Sequence, residues 1–474
     1  MATFVFDDQL NGQVIAFNVG ADVLFFNDPT PASFIVLSQS LDGADVIVTV
    51  VEGPLAGKSV VLASVFGVAS LAPGNFDFLS GEVRIGDLMI FNIQDNVGTV
   101  ITGTAGGDYI AGLGGNDTLI GGDGDDRFHL LRGGAANSGF DSVAGGNGFD
   151  VIAFDASDDL SVIPVGVDLL EGSAVGGYSL SQVTFSGIEG VSGTRFNDTI
   201  FGNDLANLLD GARGNDSLFG DPGDDTLIGG NGSDTLDGGS GIDRIFGGGG
   251  NDTFYFSGFS DHIDGGTGRD TISFQKLTSG ITLDNNSWNE VSGSVTAVEK
   301  IIGSQYADWI EQGGATFQII IDGGSGNDHL TGDQNTRLNG GGGNDTIDMG
   351  LNVTDVGGKV LAFGDSGNDT LFAQEMTGGS GGDTFILDYT YATHFGPANA
   401  NAIIHDFQSG IDHIIFRGPV PIESGGLTHI GDLWTIHSPD PDYQNGNENI
   451  TFDVSYTIEG ITTLQASDYS FDVV

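Results

Sequence analysis

Residues 229–256 read GGNGSDTLDGGSGIDRIFGGGGNDTFYF, and glycine pairs open at Gly229, Gly238 and Gly247, nine residues apart. An aspartate stands at the sixth place of each nonapeptide, Asp234, Asp243 and Asp252, and an apolar side chain follows two places later, Leu236, Ile245 and Phe254. Glycines at places one, two and four permit positive φ and close approach of carbonyl oxygens to a ligand. The last three residues, with one apolar side chain between two others, make a short strand with a single inward side chain. One nonapeptide is thus a turn plus a strand, half a coil, and two make a coil of 18 residues. Stacked coils give two parallel sheets with Leu, Ile, Phe and Val between them and a row of turns along each edge.

This register places Asp234 and Asp252 on one edge, and Asp225, Asp243 and Asp261 on the other. Carboxylates about 5 Å apart in such rows repel one another. A hard cation that takes six to eight oxygens, carboxylate and carbonyl alike, resolves the conflict, and calcium is that cation. The expected ligands are the sixth-place acids throughout the chain. Nine nonapeptides run without a gap from Gly193 to Ser273 and supply Asp198, Asp216, Asp225, Asp234, Asp243, Asp252, Asp261 and Asp270, with Asn207 at the one neutral place. An earlier block from Gly103 supplies Asp108, Asp117 and Asp126; after a fifteen-residue variant ending in FDSVA the motif resumes with Asp150. A later block begins repeats at 303, 323, 340, 364 and 378, carrying Asp308, Asp328, Asp345, Asp369 and Asp383. Segments of 11, 8, 15 and 5 residues separate these repeats and lack the glycine–aspartate turn, yet each ends in a strand-like triplet centred on Ile321, Leu338, Ala362 or Met376. The later block is therefore expected to carry acids along one edge only.

The nonapeptides GGNGSDTLD, GGSGIDRIF and GGGGNDTFY resemble the GGxGxDxUx repeat of RTX proteins. The resemblance covers roughly residues 103–386 with interruptions. It implies an all-β fold, a calcium-stabilised parallel β-roll or β-solenoid, that folds on multiple calcium ions outside the cell after export by a type I secretion apparatus with an uncleaved C-terminal signal. The ending ASDYSFDVV is similar to those of type I substrates, and NAIIHDFQSGIDHIIF, residues 401–416, resembles the strand pair that closes RTX arrays.

The expected organisation is a β-rich N-terminal domain or cap over 1–102, a first block with an insertion over 103–192, a central regular roll over 193–302, an irregular block over 303–386, and a C-terminal β cap over 387–474. Residues 154–192 and 274–302 each follow a good repeat and end similarly, and they read as one duplicated wide coil whose loops bulge while its strands stay in the roll. Apolar runs such as TFVFDD, DVLFFND and DVIVTVV, separated by turn signals, fill the first hundred residues.

Composition narrows the partners. The 474 residues carry 65 acids against 13 bases, a formal charge of −52, which excludes nucleic acid and makes a compact chain self-repelling without a counter-cation. There is no cysteine, hence no disulfide framework. The first basic residue is Lys58, so no positively charged signal-peptide start is present. The uncharged stretch 59–76 is diluted by Ser, Gly and Pro and reads as a strand with a turn, not a transmembrane segment. Catalytic motifs are wanting: no HExxH occurs, and Gly378–Gly382 fits GxSxG only inside a nonapeptide turn. His394, His405, His413, His429 and His437 are read as scattered surface residues, not a zinc site. The sequence therefore points to a non-enzymatic, secreted calcium-binding protein with a structural or adhesive role at a cell surface or in extracellular matrix, associating with itself or with polysaccharide. The alternative is a polysaccharide-active enzyme with its site in the N-terminal domain or on the solenoid face.

Overall fold

The computed structural model describes the strands of the first 91 residues by their backbone, and residues 100–473 except 104, 113–115, 131–139, 155–163, 177–181, 257–260, 284–294, 313–318, 334, 350–358, 389–401, 419–426, 431–432, 440–450, 462 and 466. The described elements are all strands. They fall in two compact units, Met1–Gly248 and Gly249–Val474.

In the first unit, one parallel sheet runs from Met89–Phe91 through Tyr109–Gly112, Arg127–Leu130, Val151–Ala153, Gly190–Ser192 and Leu208–Asp210 to Thr226–Asn231. A second sheet holds Val100–Thr102, Thr118–Asp123 and Ser142–Asn147, and later Thr199–Phe201, Ser217–Phe219 and Thr235–Asp237. Each nonapeptide strand turns one side chain inward. Ile110, Phe128, Ile152, Leu209 and Leu227 of the first sheet and Leu119, Ile200, Leu218 and Leu236 of the second are fully buried. Burial of such a side chain contributes about 1.5–3 kcal/mol, so the thin core is made of many equal increments, one per half-coil.

The second unit builds the same way. Its first sheet passes from Thr253–Tyr255 and Thr271–Ser273 through Lys300–Ile302, Ile319–Asp322, Thr336–Gly342, Leu361–Ser366 and Glu375–Thr377 to Ile403–Ile404. The other sheet runs from Thr282–Leu283 through Trp309–Gln312, His329–Gly332, Thr346–Met349, Thr370–Phe372, Thr384–Asp388 and His413–Gly418 to Tyr469–Val473. Every strand that follows Asp308, Asp328, Asp345, Asp369 or Asp383 lies in this second sheet. The triplets centred on Ile321, Leu338, Ala362 and Met376 line the first, with those four residues buried. The acids of the later block thus occupy one edge.

The two insertions repeat one pattern of parallel pairing. In the first, Val165–Asp168, Ser173–Gly176 and Gln182–Ser186 form an antiparallel meander inside the sheet, between Ser142–Asn147 and Thr199–Phe201. A tight hairpin makes this possible: Asp168 Oδ1 accepts the N–H of Glu171 (2.8 Å) and Gly172 takes φ 64°. In the second, Val295–Thr296 pairs with His262–Thr267 as Gln182–Ser186 does with Ser142–Asn147, and Thr282–Leu283 pairs with Trp309–Gln312 as Val165–Asp168 does with Thr199–Phe201. The sequence reading of one duplicated wide coil is therefore seen in the pairings, down to Gly190–Ser192 on Val151–Ala153 and Lys300–Ile302 on Thr271–Ser273; the first insertion adds the antiparallel strand Ser173–Gly176.

The N-terminal strands combine both modes. Thr3–Phe6 pairs in parallel with Val23–Phe26, which pairs with Phe76–Phe78, while Ile35–Gln39, Val46–Val50 and Ser59–Ala63 pair antiparallel. Ser59–Ala63 lies in the uncharged stretch considered above, and no helix among the described residues is long and apolar enough to cross a membrane. At the other end, Leu427–Ile430, Leu433–Pro439 and Thr451–Ile458 form an antiparallel cap, with Trp434 and Tyr456 buried and the Phe416 ring 6.4 Å from that of Tyr456.

Candidate calcium ladder

The sixth-place aspartates are buried along the turn edges, at 0–3 % exposure for all seventeen expected residues. Their two oxygens do different work. Oδ1 reaches back one coil to accept the backbone N–H of the preceding sixth-place residue. The N–H of Asp198 donates to Asp216 (2.7 Å), that of Asp216 to Asp234 (2.8 Å), and that of Asp225 to Asp243 (2.9 Å). In the later block the chain of bonds runs Asp308 to Asp328, Asp328 to Asp345, Asp345 to Asp369 and Asp369 to Asp383, at 2.8–3.0 Å. Oδ2 is buried without a hydrogen-bond partner in Asp126, Asp150, Asp216, Asp225, Asp270, Asp328, Asp345, Asp369 and Asp383. A buried charged oxygen with no donor costs several kcal/mol in isolation, so it calls for a cation or a proton.

The glycines show where that oxygen points. A Cβ placed on Gly211 would stand 2.5 Å from Asp216 Oδ2 and 2.8 Å from the carbonyl oxygen of Gly229 in the following coil; at Gly323 the corresponding distances are 2.5 Å to Asp328 Oδ2 and 2.7 Å to Gly340 O. Place one is glycine because carboxylate and carbonyl oxygens fill the space above it. Positive φ belongs instead to places two and four, as at Gly230 (101°) and Gly232 (142°) or Gly341 (97°) and Gly343 (132°). This corrects the reading that all three glycines serve the same need. Ala212, Asp221 and Asp365 hold the left-handed conformation at place two without being glycine, at φ 68°, 65° and 67°.

Electrostatics match the geometry. Burial pushes the Asp216 carboxyl up to about 8, those of Asp126, Asp225, Asp328 and Asp369 to about 7, and that of Asp270 to about 6. The inter-coil N–H bond opposes the rise, and the charge of neighbouring aspartates adds to it. Asp150, Asp234, Asp243, Asp345 and Asp383 are raised as well, again chiefly by burial. Among the described residues no three His, Cys, Asp or Glu side chains converge on a point. An ion here therefore draws on one or two carboxylates and completes its shell with backbone carbonyls. All-oxygen donation of that kind fits calcium and suits neither zinc nor copper.

The ladder has members outside the nonapeptides. Asp141 accepts from the N–H of Asp117 (2.9 Å), Glu189 from Asp150 (2.9 Å), Glu299 from Asp270 (2.8 Å) and Asp412 from Asp383 (3.0 Å). The signal was present: each is an acid directly before a strand triplet, as in Asp141-Ser-Val-Ala or Glu299-Lys-Ile-Ile. A second ladder lies at place five, where the side-chain oxygen of Asn197 accepts the N–H of Asn215 (2.8 Å), Asn327 that of Asn344 (2.8 Å) and Asn344 that of Asn368 (2.8 Å).

The other candidates resolve into structure. Ser380 sits between Gly379 and Gly381, both at positive φ, and its N–H donates to Asp365 O (2.8 Å), so GxSxG here is a roll turn. His405 Nδ1 lies 3.1 Å from Glu459, and His413 Nε2 lies 2.8 Å from Ser470 Oγ; the two histidines occupy separate networks, and His394 lies outside the described residues.

A family model for the RTX calcium-binding nonapeptide repeat matches residues 102–134, 192–227, 228–262, 257–273 and 320–347. No curated protein matches the chain. The chain is an RTX-type repeat protein with a parallel β-roll, and its repeats bind calcium ions, several to an array.

Proposed function

We propose that Asp108, Asp117, Asp126, Asp150, Asp216, Asp225, Asp234, Asp243, Asp252, Asp261, Asp270, Asp328, Asp345, Asp369 and Asp383 are calcium ligands. On this reading the protein is a secreted, non-enzymatic building element of a cell-surface layer or extracellular matrix, which folds and self-associates when it meets calcium outside the cell. Export by a type I apparatus belongs to the same reading, since a chain that cannot fold at cytosolic calcium stays threadable. Calcium neutralises the buried Oδ2 row and supplies the positive charge that the −52 formal balance lacks.

One observation carries the assembly reading. The eight-stranded sheet ends on Tyr469–Val473, which pairs on one side with His413–Gly418 and has no described strand beyond it. Its Phe471 is 36 % exposed. A parallel edge with open N–H and C=O groups is a template for a further strand, and coil on coil is how the rest of the roll already grows. Electron microscopy and light scattering of the purified chain, with millimolar calcium and after chelation, test this. Filaments, sheets or large oligomers that appear with calcium and disperse on chelation are expected. A folded, monodisperse monomer at saturating calcium would overturn the assembly reading.

A further inference from the structure

Four turns break the pattern of the ladder, and they break it in the same way. In each, the backbone N–H four residues before the sixth-place side chain donates to that side chain: Thr194 to Asp198 Oδ2 (2.5 Å), Asn203 to Asn207 Oδ1 (2.8 Å), Ser304 to Asp308 Oδ2 (2.6 Å) and Gln408 to Asp412 Oδ2 (2.7 Å). Side chains complete the closure. Thr194 Oγ1 donates to Asp198 (2.9 Å), Ser304 Oγ to Asp308 Oδ1 (2.7 Å), and the Asn207 amide donates to the Glu189 carbonyl (3.2 Å). The place-two oxygens also accept the place-four N–H, of Phe196, Leu205 and Tyr306, at 2.9–3.0 Å.

In the open turns the place-two N–H goes elsewhere. That of Ala212 donates to Asp210 Oδ1 (3.0 Å), and that of Gly379 to Asp406 Oδ2 (2.8 Å). Asp216 and Asp383 in those same turns keep a buried Oδ2 with no donor. The difference is conformational. Ala212 and Gly379 have positive φ, and Thr194, Asn203 and Ser304 do not. At Thr194, Asn203 and Ser304 a hydroxyl or amide at place two, with a large residue at place four, selects the turn that aims N–H groups at the sixth place, whereas the Gln408 turn does so with Gly410 at place four.

We propose that Thr194, Asn203, Ser304 and Gln408 are the residues that decide where the calcium ladder stops: their turns take no ion, because protein donors occupy the oxygens an ion would bind. The inference rests on the reading of the open-turn aspartates as ligands. It makes 193–210 a coil closed on both edges without metal. It also brackets the open row Asp328, Asp345, Asp369 and Asp383 between two closed acids, Asp308 and Asp412. Asp468, beyond Asp412, is closed too. Burial would raise its carboxyl, but hydrogen bonds from Ser409 (2.6 Å), Gln465 (2.8 Å), Gly410 (3.1 Å) and Ser467 (3.3 Å) hold it below the usual carboxylate range.

The test counts ions on the full chain. Equilibrium dialysis at saturating calcium, with metal analysis, compares the natural protein with Thr194→Gly/Phe196→Gly and Ser304→Gly/Tyr306→Gly, which restore glycine at places two and four. Each double variant is expected to bind at least one more calcium per chain; unchanged counts in folded variants overturn the proposal. A crystal structure of the calcium-loaded natural chain covers the case in which a variant misfolds: ions beside Asp216 and Asp328 with none at Asp198, Asn207 or Asp308 are expected, and an ion at any of the latter three overturns it. Asp216→Ala separates the two readings. If it leaves the count unchanged, the ligand assignment itself has failed; if it lowers the count while the double variants add nothing, only the present inference has.

Discussion

Asp216 is the position at which calcium and proton compete most directly, and replacing it with asparagine should change stability in opposite directions with and without calcium. The change keeps the Oδ1 acceptor that holds the N–H of Asp198 at 2.7 Å. It replaces the partnerless Oδ2 with an amide donor near the carbonyl of Gly229. Asn207 shows that the roll accommodates an asparagine at the sixth place, with its amide donating to the carbonyl of Glu189 and its oxygen accepting the N–H of Asn203. Without calcium the ionised Asp216 is a liability. Moving a carboxyl from 3.8 to about 8 corresponds to about 5 kcal/mol against the folded form at pH 8 if nothing relaxes. Water and the effective permittivity of real protein sites reduce this to about 2 kcal/mol. With calcium the sign turns. An extracellular-type site with a dissociation constant of about 10⁻⁴ to 10⁻³ M contributes about 2.7–4.1 kcal/mol at 100 mM calcium, by mass action on the folded state, which exceeds the liability of about 2 kcal/mol.

Asp216→Asn is therefore expected to unfold at higher urea than the natural chain in calcium-stripped buffer at pH 8, and at lower urea in 100 mM calcium. Circular dichroism follows both transitions, and the comparison uses midpoints because a repeat array need not unfold in two states. A shift of the same sign in both conditions would refute the reasoning, since it would mean that Oδ2 faces neither a proton nor an ion.

Acid should partly replace calcium. The carboxyls of Asp126, Asp216, Asp225, Asp270, Asp328 and Asp369 are raised in the folded chain to between about 6 and 8, so their contribution is complete below the unfolded value of 3.8 and is lost as pH rises through the folded values. Thermal midpoints in calcium-stripped buffer should thus be higher at pH 5 than at pH 8, and the reverse order would contradict the burial argument. Asp234→Ala should raise the calcium concentration needed to fold the 193–273 array, whereas Asp7→Ala, outside the repeats, should not; calcium titrations followed by circular dichroism compare them. Ala212→Gly relieves a left-handed alanine at φ 68° and should stabilise the roll by about 1 kcal/mol, read as a higher urea midpoint with an unchanged calcium count. Gly211→Ala would place a methyl group 2.5 Å from Asp216 Oδ2 and 2.8 Å from Gly229 O, and should lower calcium affinity at that coil more than it lowers the stability of the calcium-free chain.

Most of the roll was legible because its period is local. A strand triplet every nine residues fixes which side chain faces in, and Ile200, Leu218 and Leu236 are all fully buried as that period requires. The one-sided row of the later block was legible for the same reason, from the triplets at Ile321, Leu338, Ala362 and Met376. The ladder members Asp141, Glu189, Glu299 and Asp412 were not read, because the motif was sought by its glycines and these acids have none at places one and two. The likeness of the two insertions was legible from their endings, because Glu189 and Glu299 take the same place in the ladder and the N–H groups of Val165 and Ile281 donate to the equivalent acids Asp198 and Asp308; the hairpin closed at Gly172 was not, since it adds a strand without changing the ending.

A deeper reason separates what the repeat reveals from what it hides. The sixth-place carboxylate has one oxygen bound to the backbone in open and closed turns alike, so its presence in the sequence reports only the inter-coil bond. Whether the second oxygen needs a cation is set four residues earlier, by the φ of a residue that a GGxGxD search treats as glycine or noise. Asp198 and Asp216 look equivalent in sequence and are equally buried, at 1 % exposure. Thr194 turns its N–H toward one, and Ala212 turns its N–H away from the other. Calcium dependence in this roll is therefore a property of the turn as a whole, and the acid alone does not confer it.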